Sequence, residues 1–99
     1  MGNIDDWRAE IDAIDEQLVR LLNERARLAI EIGVLKRAIG LPIHDHERER
    51  RVIARVCQIN RGPLDEAAMI KIFKRIIRES RRTAIQRVAA DEAHRETVR

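Results

Sequence analysis

Apolar residues recur at Ile4, Trp7, Ile11, Ile14, Leu18, Leu21, Leu28, Ile32, Leu35 and Ile39, alternately three and four apart once Arg25 is counted into the series between Leu21 and Leu28. That spacing lines one side of a helix, and it predicts a single helix over about 4–38. Asn3 with Asp6 reads as its start, Gly33 is tolerable inside so long a helix, and Gly40, Leu41 and Pro42 end it. A second helix is expected over about 46–60, opening at Asp45, with Val52, Ile53, Val56 and Ile59 on its apolar face and Asn60, Arg61, Gly62 and Pro63 as its stop. A third, over about 65–88, is capped by Asp65 and carries Met69, Phe73, Ile76, Ser80 and Ala84 on one stripe, before a polar tail over 89–99. No alternating strand pattern or internal repeat interrupts the series, so the class is all-α: three helices, one of them very long, in a single domain spanning 1–99.

Length makes that reading incomplete for one chain. A helix of about 35 residues is roughly 52 Å long, whereas a compact domain of about 100 residues has a radius of gyration near 13 Å. The two shorter helices cover only part of the long apolar seam, so a second copy packed antiparallel along it is expected to close an intertwined homodimeric bundle. Trp7 and Phe73 are the only aromatics, which leaves the core to aliphatic side chains. The 99 residues are 37% charged with a net charge of +3, and arginine supplies 17 of the 20 basic residues, a surface suited to anionic ligands. No recognition motif and almost no aromatics accompany those arginines, which argues against a nucleic-acid partner. Cys57 is alone and fits a reducing compartment. No apolar run approaches the roughly 18 residues of a membrane span and no signal-like segment opens the chain, so the expected location is cytoplasmic, with no membrane partner.

Polar residues that break the apolar pattern are the candidates for chemistry. A guanidinium in a packed seam costs several kcal/mol unless an anion meets it or its stem carries it to water, and Arg25 sits in such a seam. Lys36, eleven residues on, points to nearly the same side about 16 Å away. The second helix opens with HDHERERR, where Asp45, Arg48 and Glu49 mix acceptors with a donor. Ser80 interrupts the third stripe. Arg25, Lys36, Arg48 and Ser80 thus read as donors aimed inward from three helices, with Asp45 and Glu49 as acceptors. Each also has a plainer role: Arg25 as a register-setting residue, Lys36 and Arg48 as solvated charges, Ser80 bonded back to its own helix, Asp45 as an N-cap, Glu49 paired with a nearby arginine. His44 and His46 flank Asp45 without a further ligand set, so no metal site is expected. The basic run Lys71, Lys74, Arg75, Arg78, Arg81 and Arg82 is expected to be solvated.

Taken together, the segments WRAEIDAIDEQLVRLLNERARLAIEIGVLK, HDHERER and IFKRIIRES resemble the all-helical AroQ class of chorismate mutases over about residues 4–84. The most specific features are the arginine inside the long repeat, the lysine eleven residues later and the Asp-x-x-Arg-Glu at the second helix. The resemblance implies a homodimer that rearranges chorismate to prephenate on the route to phenylalanine and tyrosine, without metal or cofactor. It implies that Arg25 and Arg8 of the partner subunit clamp the substrate carboxylates, that Lys36 reaches the ether oxygen, that Asp45 and Glu49 hold the ring hydroxyl, that Arg48 orients the substrate and that Ser80 bonds the ring carboxylate. Arg8 and Arg25 are 17 residues apart, about 25 Å along one helix, so they can meet one small ligand only from different chains. Glu49 favours a mutase over the related isochorismate-pyruvate lyases, in which that glutamate is not retained. A weakly active or non-catalytic dimeric regulatory module of the shikimate pathway is the other reading, since the family is often fused to partner domains. One departure stands out: the family's second donor to the ether oxygen, a glutamine or glutamate, falls on Ala84, with Arg87 as the expected substitute in preference to Gln86 or Thr83.

Overall fold

The computed structural model of the chain describes residues 2–97 and places them in three helices, α1 (Ile4–Ala38), α2 (His46–Ile59) and α3 (Glu66–Thr97). Each begins at a short polar side chain that accepts a hydrogen bond from a backbone N–H of its own first turn. Asn3 Oδ1 accepts from Asp6 at 2.9 Å, Asp45 Oδ1 from Arg48 at 3.0 Å and Asp65 Oδ1 from Ala68 at 2.8 Å. These bonds satisfy donors that a helix start otherwise leaves open. Past the end of α1 the chain turns at Gly40, whose φ of +76° is a conformation that a side chain would disfavour.

Helix α3 runs nine residues past its expected end, because 89–97 is polar without being anti-helical. The stretch AADEAHRET has no Gly or Pro to stop a helix and is rich in good formers. Glu92 in this extension pairs with Arg37 of α1, Oε1 to Nε at 2.5 Å. Val98 and Arg99, the rest of the expected tail, lie outside the described residues.

Helix α3 packs against both α1 and α2. Its inward face runs through Ile77, Ser80, Ala84 and Val88, all buried, so the stripe expected through Ile76 shifts by one residue at that point. The crossing with α1 is close because both surfaces are small there. A methyl group added at Gly33 would lie 3.4 Å from Ala84 Cβ and 3.6 Å from Val88 Cγ2. Gly33 is the one buried residue of α1.

The rest of α1 stands largely uncovered. Its seam residues Ile4, Trp7, Ile11, Ile14 and Leu18 are about half exposed or more, and Leu28, Ile32 and Leu35 more than half. The molecule measures 64 × 29 × 15 Å with a radius of gyration of 17.7 Å. That is well above the value of about 13 Å for a compact chain of this size. A regular apolar stripe of this length left in water is the signature of an interaction surface.

The crossing yields a stability test. Gly33→Ala places its methyl at the edge of ordinary contact while gaining up to about 1 kcal/mol of helix propensity, so it should be neutral or mildly stabilising. Gly33→Leu wedges α1 from α3 and should cost about 1–3 kcal/mol. Urea unfolding measures both; a leucine variant as stable as the parent would mean that the crossing is not tight.

Candidate active site

Where α1, the entrance of α2 and the middle of α3 converge, they enclose a cavity of about 300 Å³. Its polar wall consists of Arg25 and Lys36 from α1, Asp45, Arg48 and Glu49 from the start of α2, and Ser80 and Arg81 from α3. Leu28, Ile32, Ile77 and Ala84 are among its apolar members. A volume near the low end of small-molecule pockets, with convergent polar groups on an aliphatic background, suits one small polar ligand.

Arg25 Nη1 donates to Ser80 Oγ across the α1–α3 interface at 3.0 Å. The hydroxyl therefore serves another helix and keeps its own proton to donate to a third group. Burial, and then the neighbouring positive charge of Arg48, lower the Arg25 pKa from its ordinary value. Among the described residues Arg25 makes no ion pair, so its only partner is a neutral oxygen. An anion entering the cavity would relieve both the desolvation and the repulsion between the two guanidinium groups.

Lys36 Nζ lies 3.7 Å from Asp45 Oδ2, while Asp45 Oδ1 caps α2. The backbone hydrogen bond from Arg48 is the main cause that holds the Asp45 carboxyl below its ordinary pKa; partial burial opposes it, and the charges of Lys36 and Arg51 assist. Glu49 is gripped from the opposite side. Its Oε2 accepts a hydrogen bond from Arg81 Nη1 and lies 3.2 Å from His44 Nε2. Burial alone would raise the Glu49 pKa, but the hydrogen bond and charge of Arg81, joined by His44, outweigh it and leave the pKa lowered. His44 Nε2 is also 3.0 Å from Arg81 Nη1. One ring nitrogen can accept from Arg81 or donate to Glu49, but not both at once.

Seven of the eight residues singled out in the sequence line this cavity: Arg25, Lys36, Asp45, Arg48, Glu49, Ser80 and Ala84. Arg8 does not; it is exposed near the start of α1. Arg81, expected to be solvated with the rest of the basic run, is instead three-quarters covered and bonded inward. Its position carries a signal of this, since it is four residues after Ile77 and three before Ala84, on the buried side of α3. Arg87, the expected substitute for a donor at Ala84, is exposed and outside the cavity wall, as are Thr83 and Gln86. Ala84 itself is 1% exposed and packs on Gly33, so the crossing occupies its other side. The rings of His44 and His46 lie against each other, tilted by 36°, with centroids 3.8 Å apart. Among the described residues no group of three or more His, Cys, Asp or Glu side chains is placed to hold a metal ion.

Fold and site together define an all-helical protein whose cavity offers several cations and two carboxylates to one small ligand. The chain belongs to the chorismate mutase type II family, whose sequence pattern matches residues 7–85. It is 42% identical over 81 residues to the bifunctional chorismate mutase/prephenate dehydratase of Aquifex aeolicus, covering 78% of this chain and 22% of the relative. The chain spans about a fifth of the length of the bifunctional relatives it matches. Among solved structures, the chorismate mutase of Thermus thermophilus superposes with a TM-score of 0.77 at 39% identity, over 78% of this chain and 96% of that one. The chorismate mutase of Helicobacter pylori in complex with prephenate also gives 0.77, at 28% identity, over 84% and 90% of the two chains.

The carboxylate shifts fix the sign of a pH effect. Asp45 and Glu49 have folded pKa values below the ordinary 3.8 and 4.5, so the stability they contribute is present above those values and is lost as pH falls through the folded ones. The difference in melting temperature between the parent protein and Glu49→Gln should therefore be smaller at about pH 3 than at about pH 5. An equal difference at about pH 5 and at about pH 3 would contradict the lowered Glu49 pKa.

Proposed function

We propose that the chain is a chorismate mutase that works as a homodimer, each site completed by Arg8 of the partner subunit. The observation that carries this reading is the convergence of Arg25, Lys36, Arg48 and Ser80 with Asp45 and Glu49 around one cavity of about 300 Å³. The rearrangement is intramolecular: the ether carbon–oxygen bond breaks as a carbon–carbon bond forms, and no nucleophile or cofactor takes part. The protein's task is to hold the dicarboxylate in its folded conformer and to stabilise charge that develops on the ether oxygen. Arg25, relieved of its desolvation by the ligand, takes one carboxylate. Ser80 donates its hydroxyl proton to the ring carboxylate. Lys36 lies beside the ether oxygen, Asp45 and Glu49 hold the ring hydroxyl, whose one proton goes to Glu49, and Arg48 orients the substrate on the α2 side. The Helicobacter pylori neighbour, solved with prephenate, supports a ligand of this class.

The second subunit is supported by where the cavity opens. Leu28 and Ile32 line it and also belong to the exposed seam of α1, so the uncovered side of the site and the uncovered side of the helix are continuous. An antiparallel copy laid on that seam would cover both and would bring its own Arg8 toward Arg25. A mutase feeding amino-acid biosynthesis would work in the cytoplasm. No described helix is long and apolar enough to cross a membrane.

Loss of chorismate absorbance on adding the purified protein, with prephenate as product, tests the reading. Release of pyruvate from isochorismate instead would favour a lyase, and no turnover of either would favour a non-catalytic module. Arg25→Ala should abolish turnover while leaving helix content intact; an unfolded variant would instead assign Arg25 a register-setting role. With only Lys36 at the ether oxygen, turnover should be roughly a hundredfold below that of a site with two donors, a loss of about 3 kcal/mol. Ala84→Gln should then raise kcat more than it changes KM. A slower Ala84→Gln enzyme would mean that the position serves the helix crossing alone.

A further inference from the structure

Arg81 is the polar residue of the cavity that this functional reading leaves without a task. It follows Ser80 on α3 and reaches across to α2, where its Nη1 bonds Glu49 Oε2. The hydrogen bond and ion pairs that the Glu49 side chain makes among the described residues go to that one oxygen, from Arg81 and from His44. The second oxygen, Oε1, is thereby left for a ligand. Both partners are about three-quarters covered, 24% and 27% exposed, so the pair is less screened than the other α3 pairs at the surface, such as Arg75 with Glu79.

The pair also has a place in the architecture. Behind the site lies a second, open groove of about 790 Å³ between α2 and α3, lined on its far side by Cys57, Glu66, Lys74 and Arg78. Arg81, Glu49 and Ile77 line both the groove and the site, so together they form the wall between them. A glutamate in such a wall, without its arginine, has water on one side and a choice of rotamers. With the arginine, one oxygen is fixed and the carboxylate stays ionised, which a hydrogen-bond acceptor requires.

We propose that Arg81 is a positioning residue: by holding Glu49 Oε2 it presents Glu49 Oε1, as an anion in a fixed orientation, to the hydroxyl on the substrate ring. This rests on the mutase reading above, in which Glu49 accepts from that hydroxyl. Arg81 does not itself touch the substrate; it acts through Glu49 Oε2, which it holds together with His44. That separates it from Arg25 and Lys36, which act directly. It also separates Arg81 from a residue that merely holds α2 to α3, because a purely structural residue would matter whether or not Glu49 is present.

A double-mutant cycle reads the difference. The parent protein, Arg81→Met, Glu49→Gln and the double variant are compared for kcat/KM with chorismate, with helix content and melting temperature measured on each. Where a rate falls below detection, the dissociation constant for prephenate, which keeps the ring hydroxyl, is read instead. Arg81→Met should lower kcat/KM by about tenfold in the parent background and by less than about twofold beside Glu49→Gln. Arg81→Lys, which keeps a cation and one donor, should recover part of the loss and serves in the cycle if the methionine variant does not fold. An equal loss in both backgrounds, or no loss in either, overturns the proposal while leaving the mutase reading intact. A parent protein without chorismate turnover removes the mutase reading itself, and this inference with it.

Discussion

A positive charge that no described residue neutralises organises the site. Arg25 occupies a place where ten neighbours in the same series are apolar, and among the described residues its guanidinium finds only the Ser80 hydroxyl, with Arg48 close enough to oppose it. Helix register alone would be served by an arginine with a carboxylate beside it. Here the carboxylates are spoken for elsewhere: Asp45 caps α2 and faces Lys36, and Glu49 is held by Arg81. The two guanidinium groups of Arg25 and Arg48 are thus left facing the cavity with unspent donors, the arrangement that an incoming dicarboxylate would satisfy.

A second constraint is the length of α1. Thirty-five residues make a rod that two shorter helices cannot enclose, and the exposed seam follows directly. The seam and the cavity share Leu28 and Ile32, so in the proposed dimer one packing event buries the stripe and closes the site. Assembly and ligand binding would then draw on the same surface. The close approach at Gly33 and Ala84, between Arg25 and Lys36 along α1, fixes the separation of α1 from α3 in the cavity wall.

Much of this was legible in the sequence because it rested on periodicity and caps. The three-four repeat marked α1, and Asn3, Asp45 and Asp65 marked three helix starts by a mechanism that acts within four residues. The inward polar residues could be picked out because each broke an apolar rule. What was missed depended on distant neighbours. Arg81 sits in a run of basic residues that look alike in one dimension; its place between Ile77 and Ala84 marks the buried side of α3, but only its cross-helix meeting with Glu49 and His44 gives it a partner. The end of α3 lies beyond its expected place because polarity alone is no stop signal: nothing in 89–97 breaks a helix, and Arg37 holds Glu92 from another element. Arg87 looked one turn from Ala84 and therefore useful, but the tight crossing turns that part of α3 toward α1 and leaves Arg87 outside.

The central claim is that Arg25 is an anion ligand in a site shared between two chains, and subunit exchange tests it directly. Arg8→Ala and Arg25→Ala proteins are purified separately, mixed in equal amounts and allowed to exchange, with heterodimer formation followed by mass spectrometry. A heterodimer carries both defects in one site and neither in the other. Each variant alone should be inactive toward chorismate, while a fully exchanged mixture should regain about a quarter of the parent activity, since half the dimers are mixed and each has one intact site. A mixture that contains verified heterodimers yet stays as inactive as its components would contradict the shared site.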